Sequence, residues 1–218
     1  MKVPDSGMPD EDYWNQLMDI PAIIDWLACD AQHDTVVEIG CGYGSFTLPL
    51  ASRCQHLYAF DIEPAMVQRC QQALLNANIP CTLASQPTDF IKAVLSRKKC
   101  IVRQCNIVEY GTGLPKNSAD LVLIFNLLHG PDNFSFLQEA QRVLKPQGRL
   151  AVIHWRRDIP TPRGPDVSVR PTATELHPSL QALGFELHQA STALGDFHWG
   201  AQWRLEPSLP LPKSTNKR

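Results

Sequence analysis

The stretch VVEIGCGYG, residues 36–44, decides the fold of this 218-residue chain. A β-branched run passes through an acid and then alternates three glycines with other residues, and a helical pattern follows. A second apolar run, residues 57–60, ends in Asp61. A strand, a glycine turn, a helix, a second strand and an acid together form half of a doubly wound nucleotide-binding sheet.

Each part of this pattern has a physical purpose. Because glycine tolerates positive φ and carries no Cβ, Gly40, Gly42 and Gly44 let a ligand lie against bare backbone. The acid that ends the second strand, Asp61, can accept hydrogen bonds from both hydroxyls of a ribose. A bare structural turn is the alternative, and the register of Glu38 and Asp61 with the glycines favours a nucleotide site.

The glycine spacing discriminates between nucleotides. A dinucleotide turn reads G-x-G-x-x-G, whereas this turn reads G-x-G-x-G and has Ser45 where the last glycine of that pattern would stand. Glu38 precedes the first glycine by two residues, and a carboxylate there repels a pyrophosphate. It suits a ligand that carries an ammonium and a sulfonium group, so the pattern disfavours NAD.

Residues 38–44 resemble motif I of the class I S-adenosylmethionine-dependent methyltransferases, and Asp61 matches the acid of their following motif. Residues 144–150, LKPQGRL, are also similar to these enzymes, particularly to the ubiquinone/menaquinone-biosynthesis-like branch that acts on small molecules. The resemblance covers residues 36–155 well and the last strands loosely. It implies an α/β fold with a doubly wound, mostly parallel seven-stranded sheet and an antiparallel last strand, the Rossmann-like methyltransferase fold.

The resemblance also implies S-adenosyl-L-methionine as the cofactor and assigns residues to it. Glu38 would lie near its amino group, Asp61 would hold its ribose hydroxyls, and the glycines would pass beneath its methionine and ribose parts. Ile62 and Met66 would flank the adenine, although ordinary core packing explains them equally well. Asn106 stands where the family has an aspartate for the adenine amino group, so this contact lacks charge assistance. The implied cofactor-binding residues are Glu38, Gly40, Gly42, Gly44, Asp61, Ile62, Met66, Asn106 and Asn126.

The end of the fourth strand is the first place to look for catalytic groups. In the related small-molecule enzymes a polar residue and a histidine lie there beside the transferring methyl group, and this chain has Asn126 and His129. His129 is a candidate general base, because an imidazole titrates near neutral pH; a structural histidine at a strand end is the alternative. His154, which the fifth strand brings to the same edge, is the second catalytic candidate. Two leucines after Asn126 disfavour the class that methylates exocyclic amines of adenine or glutamine.

The acceptor is expected beside residues 154–170, which leave the fifth strand at the ligand edge of the sheet. Trp155 offers a flat apolar face, and Arg163 or a neighbouring arginine can bind an anion from a proline-stiffened loop. The alternative is a solvated loop whose arginines pair with Asp158 and Asp166.

The N-terminal segment supplies two more substrate-binding candidates, Tyr13 and Trp14. In the related enzymes such a segment often folds over the cofactor as a lid. Simple aromatic anchoring of the segment is the alternative.

Hydrophobic periodicity and turn residues predict the elements. Helices are predicted over residues 11–18, 21–31, 45–53, 64–76, 89–97, 132–145 and 172–183, and strands over residues 36–39, 57–60, 101–106, 119–125, 150–153, 185–190 and 197–205. Strict alternation in the last strand predicts two differently exposed faces. Residues 76–99 form an insertion of unknown purpose. The predicted domain limits are a flexible lead and helical lid over residues 1–32, a methyltransferase domain over 33–206, and a disordered tail over 207–218.

Composition disfavours several function classes. The net charge is −2 and the chain has no lysine/arginine run that would follow a phosphate backbone, which disfavours a dedicated nucleic-acid partner. Seven scattered cysteines without a C-x-x-C pair favour a reducing compartment over disulfides or zinc, and no metal is expected. The chain shows neither a signal-peptide pattern nor an apolar window of membrane-span length, so we expect a cytoplasmic protein. The sequence leaves the oligomeric state open.

Together these features predict an S-adenosylmethionine-dependent methyltransferase that acts on a small, anionic or aromatic acceptor. Two alternatives stay open. One is an enzyme of the same fold that acts on protein or RNA, and the other is a non-catalytic nucleotide-binding protein.

Overall fold

The computed structural model describes residues 9–207, which build one eight-stranded sheet with helices packed on both faces. The strands are β1 Thr35–Ile39, β2 His56–Asp61, β3 Thr82–Leu83, β4 Cys100–Gln104, β5 Ala119–Phe125, β6 Leu144–Trp155, β7 Phe185–Leu194 and β8 His198–Leu205. The helices are α1 Glu11–Gln16, α2 Ile20–Leu27, α3 Thr47–Leu50, α4 Pro64–Asn76, α5 Pro87–Leu95, α6 Ile107–Tyr110, α7 Asn133–Val143 and α8 Ala173–Ala182. Residues 1–8 of the flexible lead predicted over residues 1–10, and residues 208–218 of the predicted tail, lie outside the described residues.

The strand order is β3-β4-β2-β1-β5-β6-β8-β7. The first six of these strands run parallel, and β8 is antiparallel to both of its neighbours. The predicted doubly wound, mostly parallel fold is confirmed, with one strand more than predicted. Strand β1 pairs with β2 on one side and with β5 on the other. Successive strands are therefore added first on one side of β1 and then on the other, and the strand order reverses beside β1. Open α/β sheets bind ligands at this switch point, outside the carboxyl ends of the strands, where the glycine turn follows β1.

The additional strand comes from the insertion at residues 76–99. Helix α4 leads outward to β3 at the sheet edge, and α5 leads back to β4. Right-handed crossovers place an outward and a returning helix on opposite faces. Accordingly, Val67 of α4 belongs to one core cluster and Phe90 of α5 to the other. The sequence predicted the helix and missed β3, because a strand of two residues is too short to show a period.

The prediction of two differently exposed faces for the last strand is wrong. Strand β8 is buried on both faces except at Arg204, because it lies between β6 and β7 and is also covered by α2. Gln202, on its polar face, donates from Nε2 to the Trp26 carbonyl at 2.9 Å and accepts from Arg149 Nη1 at 2.7 Å. The exposed strand is instead the edge strand β7, over residues 186–193.

Element boundaries differ from the predictions mainly where backbone pairing is irregular. Strand β5 has the predicted bounds, whereas β6 begins at Leu144 rather than at residue 150 because Leu144 already pairs with Ala119. Gln147, with a φ of 69°, lies in the irregular part of this pairing. Helix α3 is shorter than the predicted 45–53. No helix within residues 9–207 combines the length and the apolar character needed to cross a membrane.

Candidate active site

The glycine turn after β1 has the backbone conformation that glycine tolerates best. Gly40, Gly42 and Gly44 have φ values of 82°, 53° and 89°. The Gly40 N–H donates to the Phe60 carbonyl at 2.8 Å, which ties the turn to β2. A Cβ on Gly40 would lie 2.6 Å from Leu127 Cδ1, so the turn also packs closely against the segment that follows β5.

Asp61 ends β2 and joins the glycine turn to the start of α4. Its Oδ2 accepts a hydrogen bond from the Gly42 N–H and its Oδ1 accepts one from the Glu63 N–H, both at 2.9 Å. Burial raises the pKa of Asp61 above its ordinary value, against the lowering effect of these two hydrogen bonds. Each carboxylate oxygen keeps a second lone pair, which suits the predicted acceptance of hydrogen bonds from ribose hydroxyls.

Glu38 lies beneath the turn rather than at an open surface. It is 2% exposed, and Thr47 Oγ1 of α3 donates to its Oε2 at 2.6 Å. Burial raises the pKa of Glu38 well above its usual range, with the Thr47 hydrogen bond opposing that shift. In this structure Glu38 supports the turn, and its contact with the cofactor amino group stays a prediction.

A cleft of about 530 Å³ opens at the carboxyl ends of β2 and β4. Its walls include Ile62 and Asn106, two of the residues predicted at the adenine, together with Phe90 and Ile91 from the inserted helix α5. Asn106 Nδ2 donates to Glu109 Oε2 at 3.3 Å, which turns the amide oxygen to the opposite side as an acceptor. The insertion therefore has a position in the site: it forms one wall of this cleft.

A charged network on α7 holds the other wall of the cleft. Glu139 accepts from the Thr112 N–H at 2.6 Å, from Thr112 Oγ1 at 2.7 Å and from Arg142 Nε at 2.7 Å. Arg142 also donates to the Leu114 carbonyl at 2.8 Å. Burial by itself would raise the pKa of Glu139, but the hydrogen bonds from Arg142 and Thr112 outweigh it and hold this pKa below its ordinary value. The loop that brings Gly113 to the cleft is thereby fixed to α7.

Three histidines meet where β5 and β6 end and β8 begins. His129 Nδ1 lies 3.2 Å from His154 Nε2, and His154 Nδ1 lies 3.4 Å from the Trp155 carbonyl oxygen. The rings of Trp155 and His198 have centroids 4.1 Å apart. Burial lowers the pKa of His129, and burial together with nearby positive groups lowers the pKa of His154 and of His198 to about 3. At neutral pH these three imidazoles are uncharged.

Asn126 connects the histidine cluster with the glycine turn. It has a φ of 55°, and its Nδ2 lies 3.3 Å from His198 Nε2. Within the described residues, Asn126 Oδ1 and His198 Nδ1 are buried polar atoms without a hydrogen-bond partner. Leaving such atoms unpaired costs free energy, so this position suits a ligand that carries polar groups of its own. The next residue, Leu127, packs against Gly40, so the cluster and the turn border the same space.

Helix α1 is fastened to the glycine turn by two hydrogen bonds. Tyr43 Oη donates to the Pro9 carbonyl at 2.7 Å, and Ser45 Oγ donates to Asn15 Oδ1 at 2.6 Å. The turn thus holds the chain before α1 as well as its last turn. Sequence reasoning assigned neither hydroxyl to this contact.

The structure brings one of the two predicted lid aromatics to the site. The rings of Trp14 and Trp155 meet edge to face with centroids 6.2 Å apart. Tyr13, its neighbour on the helix, is 39% exposed. Trp14 and Trp155 therefore stay candidates for lining the acceptor pocket, whereas Tyr13 lies at the protein surface.

Most arginines in the loop after β6 hold the loop itself. Arg170 is 5% exposed and donates to three backbone carbonyls and a threonine hydroxyl of the loop. Arg156 pairs with Asp158 at 2.7 Å, and Arg157 pairs with Glu175 of α8 at 2.9 Å. The predicted alternative of pairing with Asp158 and Asp166 is therefore found only for Arg156, whereas Arg157 pairs outside the loop and Arg170 is buried among loop carbonyls.

Arg163, the arginine predicted to bind the acceptor, lies half-buried in the same loop. Its carbonyl oxygen accepts a hydrogen bond from Thr161 Oγ1 at 2.6 Å. Next to it, Gly164 has a φ of 119°, and a Cβ there would lie 3.0 Å from the Trp155 ring. The loop thus packs directly on Trp155, and the contact of Arg163 with an acceptor stays a prediction.

Comparison with known proteins assigns this arrangement to a family. A family model described as "Methyltransferase domain" matches residues 37–152, more than half of the chain. The chain belongs to the class I S-adenosylmethionine-dependent methyltransferases. The finer resemblance to the ubiquinone/menaquinone-biosynthesis-like branch stays a prediction.

Individual relatives and solved structures are similar to this chain over different shares of its length. The uncharacterized methyltransferase Rv3342 of Mycobacterium tuberculosis is 30% identical over 138 residues, which are 63% of this chain and 46% of that protein. The chain thus spans about half the length of the curated relatives it matches. Among solved structures, a SAM dependent methyltransferase from Aquifex aeolicus superposes with a TM-score of 0.69 at 20% identity, covering 90% of this chain and 94% of that one. The [4+2]-cyclase SpnF superposes with a TM-score of 0.66 at 15% identity, covering 94% and 85%. At these identities the two structures show the fold.

The sequence analysis of this methyltransferase assigned no site role to His198 or Arg170, and the predicted contact of Met66 with the adenine stays a prediction. His198 stands in an alternating strand, and its position opposite Trp155 depends on the register of β6 with β8. Arg170 is one of several arginines in its loop, and the sequence does not distinguish it from the others. Met66 lies in the first turn of α4 and outside the walls of the cleft described above.

Proposed function

We propose that this methyltransferase domain binds S-adenosyl-L-methionine across the glycine turn, Asp61 and the cleft, and methylates a small molecule held beside His129. One observation carries the proposal. Leu127 packs against Gly40 of the turn and lies between Asn126 and His129 in the chain, so the cofactor residues and the histidine cluster border one space.

The residues present fit the cofactor. The turn has bare backbone at three positive-φ glycines, and a Cβ on Gly40 would collide with Leu127. Asp61 would accept from the ribose hydroxyls, and Asn106 would accept from the adenine amino group in the cleft. The unpaired Asn126 Oδ1 would accept from a polar group of the bound ligand.

The cofactor, when bound, supplies a methyl group on a positively charged sulfur, which is a good leaving group. The share of the protein is then to position the acceptor and to exclude water. Trp14 and Trp155, whose rings meet, would close one side of the acceptor site, and the hydrogen bonds of Tyr43 and Ser45 would hold α1 in place beside it. His129, partly exposed and uncharged at neutral pH, would take up a proton released by the acceptor.

The arrangement favours a small acceptor over a macromolecule. Trp155, which follows His154 on β6, meets Trp14 of α1 edge to face, and a pocket beside these rings would suit a planar molecule more than a polymer chain. Arg163 in the loop that packs on Trp155 would bind a negative group of that molecule by paired hydrogen bonds. The net charge of −2 gives no general attraction to nucleic acid.

Transfer of a labelled methyl group tests this function. Full-length protein is incubated with methyl-labelled S-adenosylmethionine and with separated low-molecular-mass, protein and RNA fractions of a cell extract. We expect label in the low-molecular-mass fraction, and much less of it with Asp61→Ala. Label in protein or RNA would refute the small-molecule assignment. Cofactor binding without any transfer would refute catalysis and support a nucleotide-binding protein or another chemistry on this fold.

A further inference from the structure

We infer that His154 is a positioning residue: with the Trp155 carbonyl it fixes His129 in one tautomer and leaves His129 Nε2 as the proton acceptor. The inference rests on the proposed function and deepens it. It names the acceptor as a molecule whose hydroxyl or amine group loses a proton during methylation. Both histidines were catalytic candidates from the sequence, and the structure separates their roles.

The direction of the hydrogen-bond chain follows from its last member. A carbonyl oxygen only accepts, so the contact between His154 Nδ1 and the Trp155 carbonyl requires the proton of His154 on Nδ1. A neutral imidazole carries one N–H, and His154 then has a lone pair on Nε2. The contact at 3.2 Å between His154 Nε2 and His129 Nδ1 therefore requires a proton on His129 Nδ1. The lone pair of His129 is left on Nε2.

Electrostatics keep His154 neutral, and they thereby keep the donors and acceptors of the hydrogen-bond chain in one direction. His154 is 0% exposed, and burial, followed by the charges that His129, His198 and Arg170 can carry, lowers its pKa to about 3. A proton taken up by the pair consequently stays on His129, which keeps donating from Nδ1 to His154. His154 is too deeply buried to meet a ligand, whereas His129 is partly exposed.

The chemistry of the step balances. The acceptor oxygen or nitrogen forms the bond to the methyl group with its own lone pair, and the proton of that oxygen or nitrogen moves to the lone pair of His129 Nε2. The bonding pair of the broken carbon–sulfur bond stays on sulfur. The imidazole gains the positive charge that the cofactor loses, so the net charge of the site is unchanged.

Nuclear magnetic resonance of full-length protein with 15N-labelled histidine tests the tautomers directly. Long-range 1H–15N spectra distinguish Nδ1–H from Nε2–H, and a His129→Gln variant assigns the His129 signals among the seven histidines. We expect Nδ1–H for both His129 and His154 near neutral pH. An Nε2–H tautomer at either histidine would overturn the inference.

A matched pair of variants tests whether His154 is the cause. His154→Gln keeps an acceptor at the place of Nε2 and should keep His129 in the Nδ1–H form. His154→Phe keeps a ring of similar size without an acceptor and should shift His129 towards Nε2–H. An unchanged His129 tautomer in His154→Phe would refute the positioning role. If that variant fails to fold, the wild-type tautomers still decide the matter.

The same samples separate this inference from the proposed function. Calorimetry with S-adenosylmethionine reports cofactor binding independently of the tautomers. Absence of cofactor binding by the wild-type protein would refute the proposed function, but it would not contradict the hydrogen-bond chain. Normal cofactor binding together with an Nε2–H tautomer of His129 or His154 would refute only the hydrogen-bond chain.

Discussion

Asp61 shows how one side chain can build a turn and recognise a ligand. One carboxylate oxygen accepts from Gly42 in the glycine turn, and the other accepts from Glu63 at the start of α4. The carboxylate is thereby oriented before any ligand arrives, which lowers the cost of ordering it on binding.

We expect Asp61→Ala to weaken S-adenosylmethionine binding by ~1.5–3 kcal/mol, the scale of a lost hydrogen bond to a charged group. Calorimetry measures the dissociation constant, and chemical unfolding of the ligand-free variant shows whether the turn itself has loosened. Glu186→Ala, an exposed acid on the edge strand β7, is the control and should leave the affinity unchanged. An unaltered dissociation constant for Asp61→Ala would remove Asp61 from the site.

Arg163 is the residue with which we test acceptor recognition. Arg163→Ala should raise the KM for the acceptor several-fold and leave cofactor affinity alone, because only the acceptor would touch this side chain. Arg156→Ala, which breaks a surface pair with Asp158, is the matched control in the same loop. Steady-state kinetics on the acceptor found by methyl labelling provide the measurement, and equal effects of both variants would refute a specific role for Arg163.

At the scale of elements, the insertion forms one wall of the cleft, and α7 supports the loop opposite it. Helix α5 brings Ile91 to the cleft, and α7 fixes the opposite loop through Glu139. An element inserted at the sheet edge can in this way add contact area to a ligand without altering the strands that carry the turn.

Two exposed apolar residues of α5 allow a paired test of that wall. Ile91 lines the cleft and is 52% exposed, whereas Leu95, one helical turn further on, is 78% exposed. We expect Ile91→Glu to weaken cofactor binding by about 1 kcal/mol through lost apolar contact with the adenine. Leu95→Glu should have no effect on binding measured by calorimetry. Equal affinities of the two variants would place the adenine elsewhere.

The Glu139 network should contribute stability that depends on pH. Its carboxyl has a lowered pKa in the folded state, so its contribution is present above the pKa of the unfolded chain and is lost as the pH falls through the folded value. We expect Glu139→Gln to reduce the free energy of unfolding by about 1–2 kcal/mol at neutral pH. Urea unfolding should show the difference from wild type shrinking in acid, and a difference that grows in acid would contradict this sign.

Sequence patterns predicted the burial of β5 correctly and that of β8 wrongly. Strand β5 is buried along nearly its whole length, and its apolar run marks both of its ends. Strand β8 is also buried, but its polar face is covered by α2, which lies 176 residues away from Gln202 in the chain at Trp26. Alternation reports the residue types of a strand and not what packs on each face, so the exposure was predicted wrongly.

In the candidate site too, residues with a local sequence signal were predicted, and contacts that depend on tertiary structure were not. The glycine turn and Asp61 follow from local spacing. The pairing of His129 with His154 depends on the register of β5 with β6, and the position of His198 depends on that of β6 with β8. Likewise, the burial of Arg170 depends on how the loop folds around it. Such contacts arise from tertiary structure, and the residue types gave no local signal for them.

At the scale of the whole molecule, the account depends on the site recognising S-adenosylmethionine rather than a dinucleotide. Three features favour this choice: the G-x-G-x-G spacing, the carboxyl of Glu38 beneath the turn, and a cleft at the carboxyl ends of β2 and β4 whose walls include Ile62 and Asn106. Each acts on a different part of the ligand, so ligand identity tests all three together.

Titration calorimetry of the full-length protein with S-adenosylmethionine, S-adenosylhomocysteine and NAD is the most direct measurement. The structure and the family predict binding of the first two ligands at one site per chain, and mutual competition between them, with no heat of binding for NAD. Binding of NAD without binding of S-adenosylmethionine would contradict the account.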